Sequence, residues 1–452
     1  MSQPIRSVHL TNYYHKSSGG ISTSYNNLLA AAERHRRYVR LIVPGETEAV
    51  EDVNEFARIY YIPAKQSPVF DKRYRIIMPW QYMPGDSKIR EIMLAERPDL
   101  VEVTDKYTLS MMGAMIRVGK FKQLGRPMLV HFSAERMDDN IGSFLTSGGG
   151  GRWFARRVIA NYTLPVFDYH IANSVYTAQE FHDAVDLGLN PKLSKKLFNA
   201  AWRRFAAPRV PIAERIHVAP RGVNSAQFSP ERRSREIRAE MISRAGIPED
   251  AAVLLYAGRI SPEKNIGLLV EMMEILAADT SRDYRLVVAG DGPQAEWLRE
   301  QGERRAKGKI VLLGHLDKEM LAGYYANADV FVHPNPREPF GIAPLEAMAS
   351  GVPTLAPNSG GILSYATNDN AWLVEPDARA FSEAVREIVG SDSLREKKIA
   401  NALAAARANT REASTDRLLA TYDKLYEDFQ RRRELFTDIE AAKRFDYARL
   451  LK

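Results

Sequence analysis

Short apolar runs alternate along this chain with longer stretches in which apolar residues recur every three or four positions. The runs are rich in Val, Ile and Leu, as expected for strands that are buried on both faces. In the first half the predicted strands are Ser7–Leu10, Val39–Val43, Ile59–Ile62, Leu100–Val103, Met128–Phe132, His170–Ala172 and Arg215–Val218. In the second half they are Val253–Ala257, Arg285–Ala289, Lys309–Leu313, Val330–Val332, Pro353–Ala356 and Ala371–Val374. The alternation predicts an α/β protein with parallel sheets and crossover helices.

Two domains are expected from the chain length and from the position of turn-forming residues. A chain of 452 residues is long for a single core. The segment Arg221–Pro230 is rich in turn formers and separates the two groups of strands. The pattern predicts Rossmann-like domains at residues 1–224 and 225–427. The pattern is helical from Asn409 onwards, and we expect a C-terminal helix at about 428–452 to cross back and complete the first domain.

Composition narrows the class of protein. The chain is 45% hydrophobic and 26% charged, as in ordinary globular proteins, and it contains no Cys for disulfides, thiolate metal sites or thiol catalysis. No apolar stretch approaches the roughly 20 residues of a transmembrane helix, and the N-terminus, interrupted by Arg6 and His9, does not resemble a signal peptide. We therefore expect a cytoplasmic protein that is at most peripheral on the inner face of the cell membrane.

Positive charge is concentrated in the first half of the chain. Residues 1–224 carry 31 Lys and Arg against 21 Asp and Glu, whereas the remainder carries 32 against 35. This distribution favours an anionic partner such as a membrane surface, a lipid or polyprenyl phosphate, or an acidic glycan. No basic stripe with interleaved aromatic residues accompanies a nucleic-acid module, so a nucleic-acid partner is not expected.

Two motifs in the second half carry the chemistry. Gly258-Arg-Ile-Ser-Pro-Glu-Lys-Asn265 follows a predicted strand, and Glu338-Pro-Phe-Gly-Ile-Ala-Pro-Leu-Glu346 precedes and opens a predicted helix. Arg259 and Lys264 can neutralise a diphosphate and stabilise the charge that grows on it when a glycosidic bond breaks. Carboxylates accept hydrogen bonds from sugar hydroxyls but are poor partners for phosphate. The combination predicts transfer of a sugar from a nucleotide-sugar donor without a metal ion.

Other motifs also come directly after strands, where parallel sheets bind ligands. Ser17–Ser22 is a glycine-containing loop after the first strand, and His131 ends the fifth. Gly290–Pro293 and Gly314–Leu316 follow the second and third strands of the second domain. A loop with two glycines, or a single strand-end histidine, is weak evidence when taken alone.

Together these motifs resemble the family-4 glycosyltransferases, which have the GT-B fold and are metal-independent and retaining. The resemblance covers nearly the whole chain and is most specific at Gly258–Asn265, at Gly290–Pro293, and from Glu338 through Gly361. It implies two Rossmann-like domains that face one another across a cleft, a nucleotide-sugar donor, no cofactor and no metal. One departure is Arg221-Gly-Val-Asn224, where the family often has Asn-Gly-Val-Asp. Arg221 adds a cation to which the pattern assigns no role.

The resemblance also implies roles for individual residues. Arg259 and Lys264 would bind the diphosphate, Glu338 would contact the donor sugar, and Glu346 would accept from the ribose. His131 would lie near the far hydroxyls of the sugar. The remaining donor-site residues implied are Gly19 and Gly20 over the phosphates, Gly258, Gly290 and Gly292 in the strand-end loops, His315 near the base, and the backbone of Phe340, Gly341, Ile342 and Ala343 around the sugar and phosphates.

Several segments in the first half of the chain are each compatible with two interpretations. Asp105, Lys106 and Glu135 follow strands and are candidates for the acceptor side, whereas Asp138 and Asp139 are expected to be solvated rather than metal ligands. The amphipathic segment 190–205 is either a core helix with a basic outer face or a membrane-surface helix. The glycine run 147–151 is either the hinge of an acceptor lid, with a basic helix after it, or an ordinary connection.

The expected function is transfer of a hexose from a UDP- or GDP-sugar to a hydroxyl of a glycan, a glycolipid or a polyprenyl-linked sugar, with retention. One rival is a nucleotide-sugar epimerase of the same fold, which would form no glycosidic product. A glucan phosphorylase would need a lysine-bound pyridoxal phosphate, for which the sequence shows no motif. A rival from another class is a catalytically silent scaffold that binds sugar nucleotides, although both glutamates and both cations are intact.

Overall fold

The chain divides into two units, each built around its own sheet. The computed structural model describes residues 5–15, 20–67, 74–144, 149–188 and 192–451. Residues 1–219 and 415–452 form the first unit, and residues 220–414 form the second. The sequence pattern places the boundaries later, at 224 and about 427. The helix that crosses the second boundary contains no Gly or Pro, so nothing in the sequence marks the crossing.

The first unit contains a sheet of eight strands in the order β10-β9-β8-β7-β1-β2-β4-β3, parallel except for β3 against β4, and the small antiparallel pair β5-β6. Its strands are β1 Ser7–Leu10, β2 Val39–Gly45, β3 Ala49–Asn54, β4 Ala57–Pro63, β5 Lys65–Gln66, β6 Arg75–Ile76, β7 Leu100–Val103, β8 Met128–Ser133, β9 Tyr169–Ala172 and β10 Ile216–Val218. Its N-terminal helices are α1 Gly20–Arg34, α2 Lys88–Glu96, α3 Ser110–Arg117, α4 Met137–Phe144, α5 Gly149–Val158, α6 Leu164–Val166, α7 Val175–Gly188 and α8 Lys192–Arg204.

The second unit contains a parallel sheet of six strands in the order β13-β12-β11-β14-β15-β16. Its strands are β11 Ala252–Ala257, β12 Tyr284–Ala289, β13 Ile310–Gly314, β14 Val330–Val332, β15 Thr354–Pro357 and β16 Trp372–Val374. Its helices are α9 Arg235–Ala245, α10 Gly267–Ala277, α11 Ala295–Arg305, α12 Lys318–Asn327, α13 Ile342–Ala349, α14 Ala378–Gly390 and α15 Asp392–Ala408. The chain ends with α16 Arg411–Arg431, α17 Arg433–Thr437 and α18 Ile439–Arg444.

Apolar layers cover both faces of each large sheet. In β11, for example, Val253 and Leu255 belong to one core cluster, whereas Leu254 and Tyr256 belong to the other. Successive side chains of a strand point to opposite faces, so a strand packed between two apolar layers has apolar side chains on both faces. This is why strands such as β11 could be read as continuous apolar runs.

The C-terminal helices complete the first unit through a buried polar cluster as well as through apolar packing. Glu102 on β7 accepts hydrogen bonds from Tyr422 on α16 and from Tyr25 on α1, at 3.1 Å for the latter. The ring of His9, on the neighbouring strand β1, lies 2.9 Å from the same carboxylate. Leu419 and Phe429 of α16 pack into the apolar core around this cluster. The prediction that the C-terminal helices return to the first domain is therefore confirmed.

All thirteen predicted strands are present, with ends that differ by a residue or two. Strands β3, β5 and β6 are not predicted by the pattern. Every residue of β3 is exposed or half-exposed, because this strand lies antiparallel at the edge of the sheet and has no apolar face to bury. Helix α9 begins at Arg235, where the hydroxyl of Ser234 caps the first turn.

Candidate functional site

The two predicted motifs of the second unit meet at one point of its sheet. From β11 the chain proceeds to β12 and β13 on one side, and it returns to place β14, β15 and β16 on the other. The carboxyl ends of β11 and β14 therefore flank the switch point at which open parallel sheets bind ligands. Gly258–Asn265 follows β11, and the loop that carries Glu338 follows β14.

An ion pair joins the two motifs. Nζ of Lys264 lies 2.8 Å from Oε2 of Glu338, and Nδ2 of Asn335 donates to the same oxygen at 2.9 Å. Asn265, in the left-handed conformation, donates from Nδ2 to the carbonyl oxygen of Pro334 at 3.0 Å and ties the two loops together a second time. Lys264 and Asn335 both bind Oε2, so we expect Oε1 to be the oxygen that accepts from a ligand hydroxyl.

The electrostatics keep this pair fully ionised at neutral pH. Burial by itself raises the pKa of the Glu338 carboxyl, but Lys264, His333 and Asn335 lower it to about 2. Burial has the opposite effect on Lys264 and lowers its pKa, but the contact with Glu338 outweighs burial. The pKa of Lys264 therefore lies above its ordinary value. Burial lowers the pKa of His333 to about 4, so this ring is neutral beside the pair. The site thus presents one fixed anion and one fixed cation.

The start of α13 forms the next wall of the site. Gly341 precedes the helix with a φ of 85°, a left-handed conformation that favours glycine, and its carbonyl oxygen accepts from the hydroxyl of Tyr365. Phe340 is buried and packs against the Tyr365 ring at 5.2 Å between centroids. The first-turn N–H groups of Ile342 and Ala343 have no partner within the helix, as at any helix start, and such groups favour an anion.

Glu346 lies one turn into α13 and differs electrostatically from Glu338. The hydroxyl of Tyr325 lies 3.4 Å from its Oε2. Burial raises the pKa of Glu346 to about 7, although the charges of Arg411 and Lys318 and the contact with Tyr325 act in the opposite direction. A carboxyl with this pKa is about half protonated at neutral pH. The ionised form only accepts hydrogen bonds, whereas the protonated form also donates one.

Donor binding should consequently strengthen as the pH rises through 7. If Glu346 accepts from ribose hydroxyls, each pH unit below 7 should weaken binding by up to about tenfold. Calorimetric titration between pH 6 and pH 8 should use an intact nucleotide sugar, because a terminal phosphate itself titrates near pH 6. Glu346→Gln should abolish the pH dependence, whereas Glu338→Gln should retain it even if the affinity falls. A pH dependence that survives Glu346→Gln would contradict this role.

The glycines after β11 and β12 serve to pack two loops together. A Cβ on Gly290 would lie 1.9 Å from the carbonyl oxygen of Gly258, and one on Gly292 would lie 2.3 Å from that of Ile260. The N–H of Gly258 donates to Ala289 and that of Ile260 to Asp291, both at 3.0 Å. Loop contact therefore explains why these positions are glycine, whether or not they also contact a donor. His315, after β13, is exposed.

The predicted residues of the first unit fall into different environments. Gly19 lies outside the described residues, and Gly20 is exposed as the first residue of α1. His131 is fully buried on β8, where Phe167 and Phe181 enclose its ring and its Nδ1 lies 3.5 Å from that of His170. Burial holds the pKa of His131 well below its usual range. This placement favours a structural histidine over a sugar contact.

Two of the three proposed acceptor-side residues, Asp105 and Lys106, are already bound by other residues of the first unit. Asp105 is buried and accepts from the N–H groups of Tyr107 and Leu109 and from Asn12. Lys106 is buried in an ion pair with Glu180 at 2.7 Å and also donates to the carbonyl oxygen of Glu135.

The side chain of Glu135 is half-buried, so of the three acceptor-side candidates its carboxylate is the most accessible. The carboxylate of Asp105 instead organises the turn after β7, and Lys106 neutralises a buried glutamate.

Two expectations for the following segment are wrong. Asp138 is buried rather than solvated, because Arg136 and Arg156 bind its carboxylate, and Asp139 is half-buried beside Tyr176. Burial raises the pKa of Asp138, but these two arginines lower it to about 2. Of the glycine run, residues 147–148 lie outside the described part of the chain, whereas 149–151 form the first turn of α5 rather than a loop.

Four residues of the site were not predicted: Asn335, His333, Tyr325 and Tyr365. The first two lie within five positions of Glu338, so the hydrogen-bonding side chains of that loop could have revealed them. Tyr325 comes from α12 and Tyr365 from the segment after β15, and only the folded chain brings the first to Glu346 and the second to Gly341. Among the described residues, no group of three His, Asp or Glu side chains could hold a metal ion.

Residues 237–404 match the family model for glycosyl transferases group 1. The matched segment is similar to the domains of that family. It covers most of the second unit and contains both motifs of the site. The fold of the chain is GT-B, as its structural neighbours show.

Curated relatives extend the similarity beyond this domain. A GDP-mannose-dependent α-(1-6)-phosphatidylinositol dimannoside mannosyltransferase of Mycobacterium tuberculosis is 29% identical over 390 residues, which are 85% of this chain and 88% of the relative. A GDP-mannose-dependent α-mannosyltransferase of Corynebacterium glutamicum is 30% identical over 286 residues, which are 61% of this chain and 64% of the relative.

Solved structures resemble nearly the whole chain. The Anabaena protein Alr3699/HepE, solved with UDP and glucose, has a TM-score of 0.63 and 16% identity, and the match covers 93% of this chain and all of that one. Sucrose-phosphate synthase of Thermosynechococcus elongatus has a TM-score of 0.65 and 20% identity over 94% of this chain and all of that one. At these identities the likeness establishes the fold.

Proposed function

We propose that this protein is a retaining mannosyltransferase that transfers mannose from GDP-mannose to a hydroxyl of a lipid-borne acceptor. The observation that carries the proposal is the ionised pair of Lys264 and Glu338 at the switch point of the second sheet. The names of the similar mannosyltransferases support GDP-mannose over a UDP-sugar as donor. The phosphatidylinositol dimannoside acceptor named for the mycobacterial relative supports a lipid-borne acceptor.

In this mechanism Lys264 and the exposed Arg259 bind the diphosphate. The bond between C1 of mannose and the phosphate oxygen breaks as the acceptor oxygen bonds to C1 from the same face. The acceptor proton passes to the leaving phosphate oxygen, so no protein nucleophile is needed. Lys264 offers three donors, of which Glu338 engages one, so the others can follow the charge that develops on the diphosphate. Glu338 then holds a sugar hydroxyl while its own charge is fixed.

The cellular location follows from the acceptor. No helix among the described residues is both long enough and apolar enough to span a bilayer. A lipid-borne acceptor requires the enzyme to work at a membrane surface, and the basic first half of the chain suits an anionic one. We therefore propose a peripheral protein on the inner face of the cell membrane.

A donor panel tests the proposal. Thermal shift with GDP-mannose, UDP-glucose and ADP-glucose should show the largest rise for GDP-mannose, because a ligand stabilises the state that binds it. Release of GDP with formation of a mannosylated product then separates a transferase from an epimerase, which releases no GDP. Binding without turnover in the presence of lipid acceptors would favour the silent scaffold. Preference for a UDP-sugar would overturn the donor assignment.

Transfer should be insensitive to metal removal. Lys264 and Arg259 supply the positive charge that a divalent ion would otherwise supply to the diphosphate. We expect the initial rate of GDP release in excess EDTA to remain within about twofold of the untreated rate. Loss of a group that stabilises the transition state electrostatically would lower the rate far more than about twofold. Complete loss that Mg²⁺ or Mn²⁺ restores would show that the assignment of charge is wrong.

A further inference from the structure

The apolar face of α8 belongs to the core. Phe198 and Trp202 are 1% and 0% exposed, and their rings stack with centroids 4.6 Å apart. The indole nitrogen of Trp202 donates to the carbonyl oxygen of Ala160 at 2.8 Å, and its ring also contacts Tyr447. Of the two interpretations of segment 190–205, the core helix is therefore correct. Its buried aromatic residues cannot reach a bilayer.

Helix α5, by contrast, exposes two adjacent aromatic side chains. Trp153 and Phe154 are 52% and 55% exposed, whereas Ala155 beside them is fully buried. Arg152 is also exposed, and the guanidinium of Arg157 lies 5.0 Å from the centre of the Trp153 ring. We call Arg152, Trp153, Phe154 and Arg157 the α5 surface. Contiguous exposed apolar groups mark interaction sites more often than single exposed apolar residues do.

Charge identifies the kind of partner. The sequences of α5 and α8 contain eight Lys and Arg and no Asp or Glu. The two helices are neighbours, because α5 continues into Ile159–Thr163 and Trp202 of α8 binds Ala160 within that segment. Arg156 is neutralised by Asp138 and Asp183, and Arg152 lies 3.8 Å from Asp139. Exposed Lys195 and Lys196 on α8 add positive charge.

We infer that the α5 surface docks this protein on an anionic membrane, with Trp153 and Phe154 at the level of the lipid headgroups. Trp and Phe side chains flanked by Arg and Lys are the chemistry of helices that lie in a membrane interface. The cations attract the anionic surface, and the two rings supply the apolar contact that charge alone lacks. The biological reason for such docking rests on the proposed lipid-borne acceptor, but the experiment that tests the docking does not.

Sedimentation with vesicles tests the docking surface without donor or acceptor. Full-length protein should sediment with vesicles of equal parts phosphatidylcholine and phosphatidylglycerol, but not with pure phosphatidylcholine, and salt should weaken the binding. Trp153→Ser with Phe154→Ser should lower the affinity about tenfold or more, as loss of inserted apolar area predicts. Trp80→Ser is the matched control, because Trp80 is 64% exposed in the same unit but outside the α5 surface.

Each outcome bears on the inference. A blue shift of tryptophan emission on binding should vanish in the Trp153 variant and persist in the Trp80 variant. Lys195→Glu with Lys196→Glu should reduce binding to anionic vesicles if α8 contributes charge. Equal sedimentation of wild type and the double serine variant would overturn the inference, and so would sedimentation with neither vesicle. The proposed function is tested separately, by turnover of GDP-mannose with a water-soluble acceptor, which does not require the protein to bind a membrane.

Discussion

Lys264→Ala should lower kcat by about 10²–10³ while changing donor affinity far less, because electrostatic stabilisation of a leaving group acts mainly in the transition state. Arg259→Ala should act in the same direction. The measurement is single-turnover GDP release at saturating donor, together with calorimetric affinity for the donor. Lys309→Ala provides a matched control. Lys309 has a similarly half-buried ion pair, with Asp283 at 2.6 Å, but lies at the start of β13 away from the switch point.

Lys264→Ala also affects Glu338, and the two consequences can be separated. Lys264 is the strongest of the charges that lower the pKa of Glu338, so its removal should raise that pKa and add an acidic limb to the pH–rate profile. Glu338→Gln in the Lys264→Ala background should remove this limb without restoring the rate. If the double variant recovered wild-type kcat, Lys264 would act only by holding Glu338. If Lys264→Ala kept wild-type kcat, the leaving-group role would be wrong.

The architecture was predictable because its central strands are buried on both faces. Continuous apolar runs such as β11 and β14 are visible in sequence, and the rule that ligands bind beyond parallel strand ends brings the two motifs together. Strand β3 was missed because an exposed edge strand has no apolar pattern. The crossing near Ser414 leaves no mark in the sequence, because α16 continues through it.

The strand-end rule identified positions but not the partners of their side chains. Asp105 and Lys106 follow β7 as the rule requires, yet the first caps a turn and the second neutralises buried Glu180. A sequence cannot distinguish a charge that waits for a ligand from one that a distant residue already satisfies. The same limitation concealed the difference between the two glutamates. Burial raises the pKa of Glu346, whereas Lys264 lowers that of Glu338, and both effects arise from tertiary contacts.

The largest effect on stability should follow from Asp168→Ala. Asp168 is fully buried and accepts from Arg117 at 2.7 Å, from both terminal nitrogens of Arg126, and from the N–H of Leu129. Burial lowers the pKa of Arg117 to about 9 even though Asp168 raises it, so removing the carboxylate leaves a costly buried cation. Breaking such a pair from one side costs about 3–5 kcal/mol.

Hydrogen exchange by mass spectrometry can measure this loss where it occurs. Peptides from β8 and β9 should lose protection corresponding to about 3–5 kcal/mol, while peptides from β11 and β12 in the second unit should not change. Arg117 also donates to the carbonyl oxygen of Phe436 at 3.3 Å, so α17 should lose protection together with β9. Asp52→Ala is the control, because Asp52 pairs with Arg58 on the surface and should cost no more than about 1 kcal/mol. Unchanged protection of β9 in Asp168→Ala would show that the arginines find other partners, and that the C-terminal segment is held by its apolar packing alone.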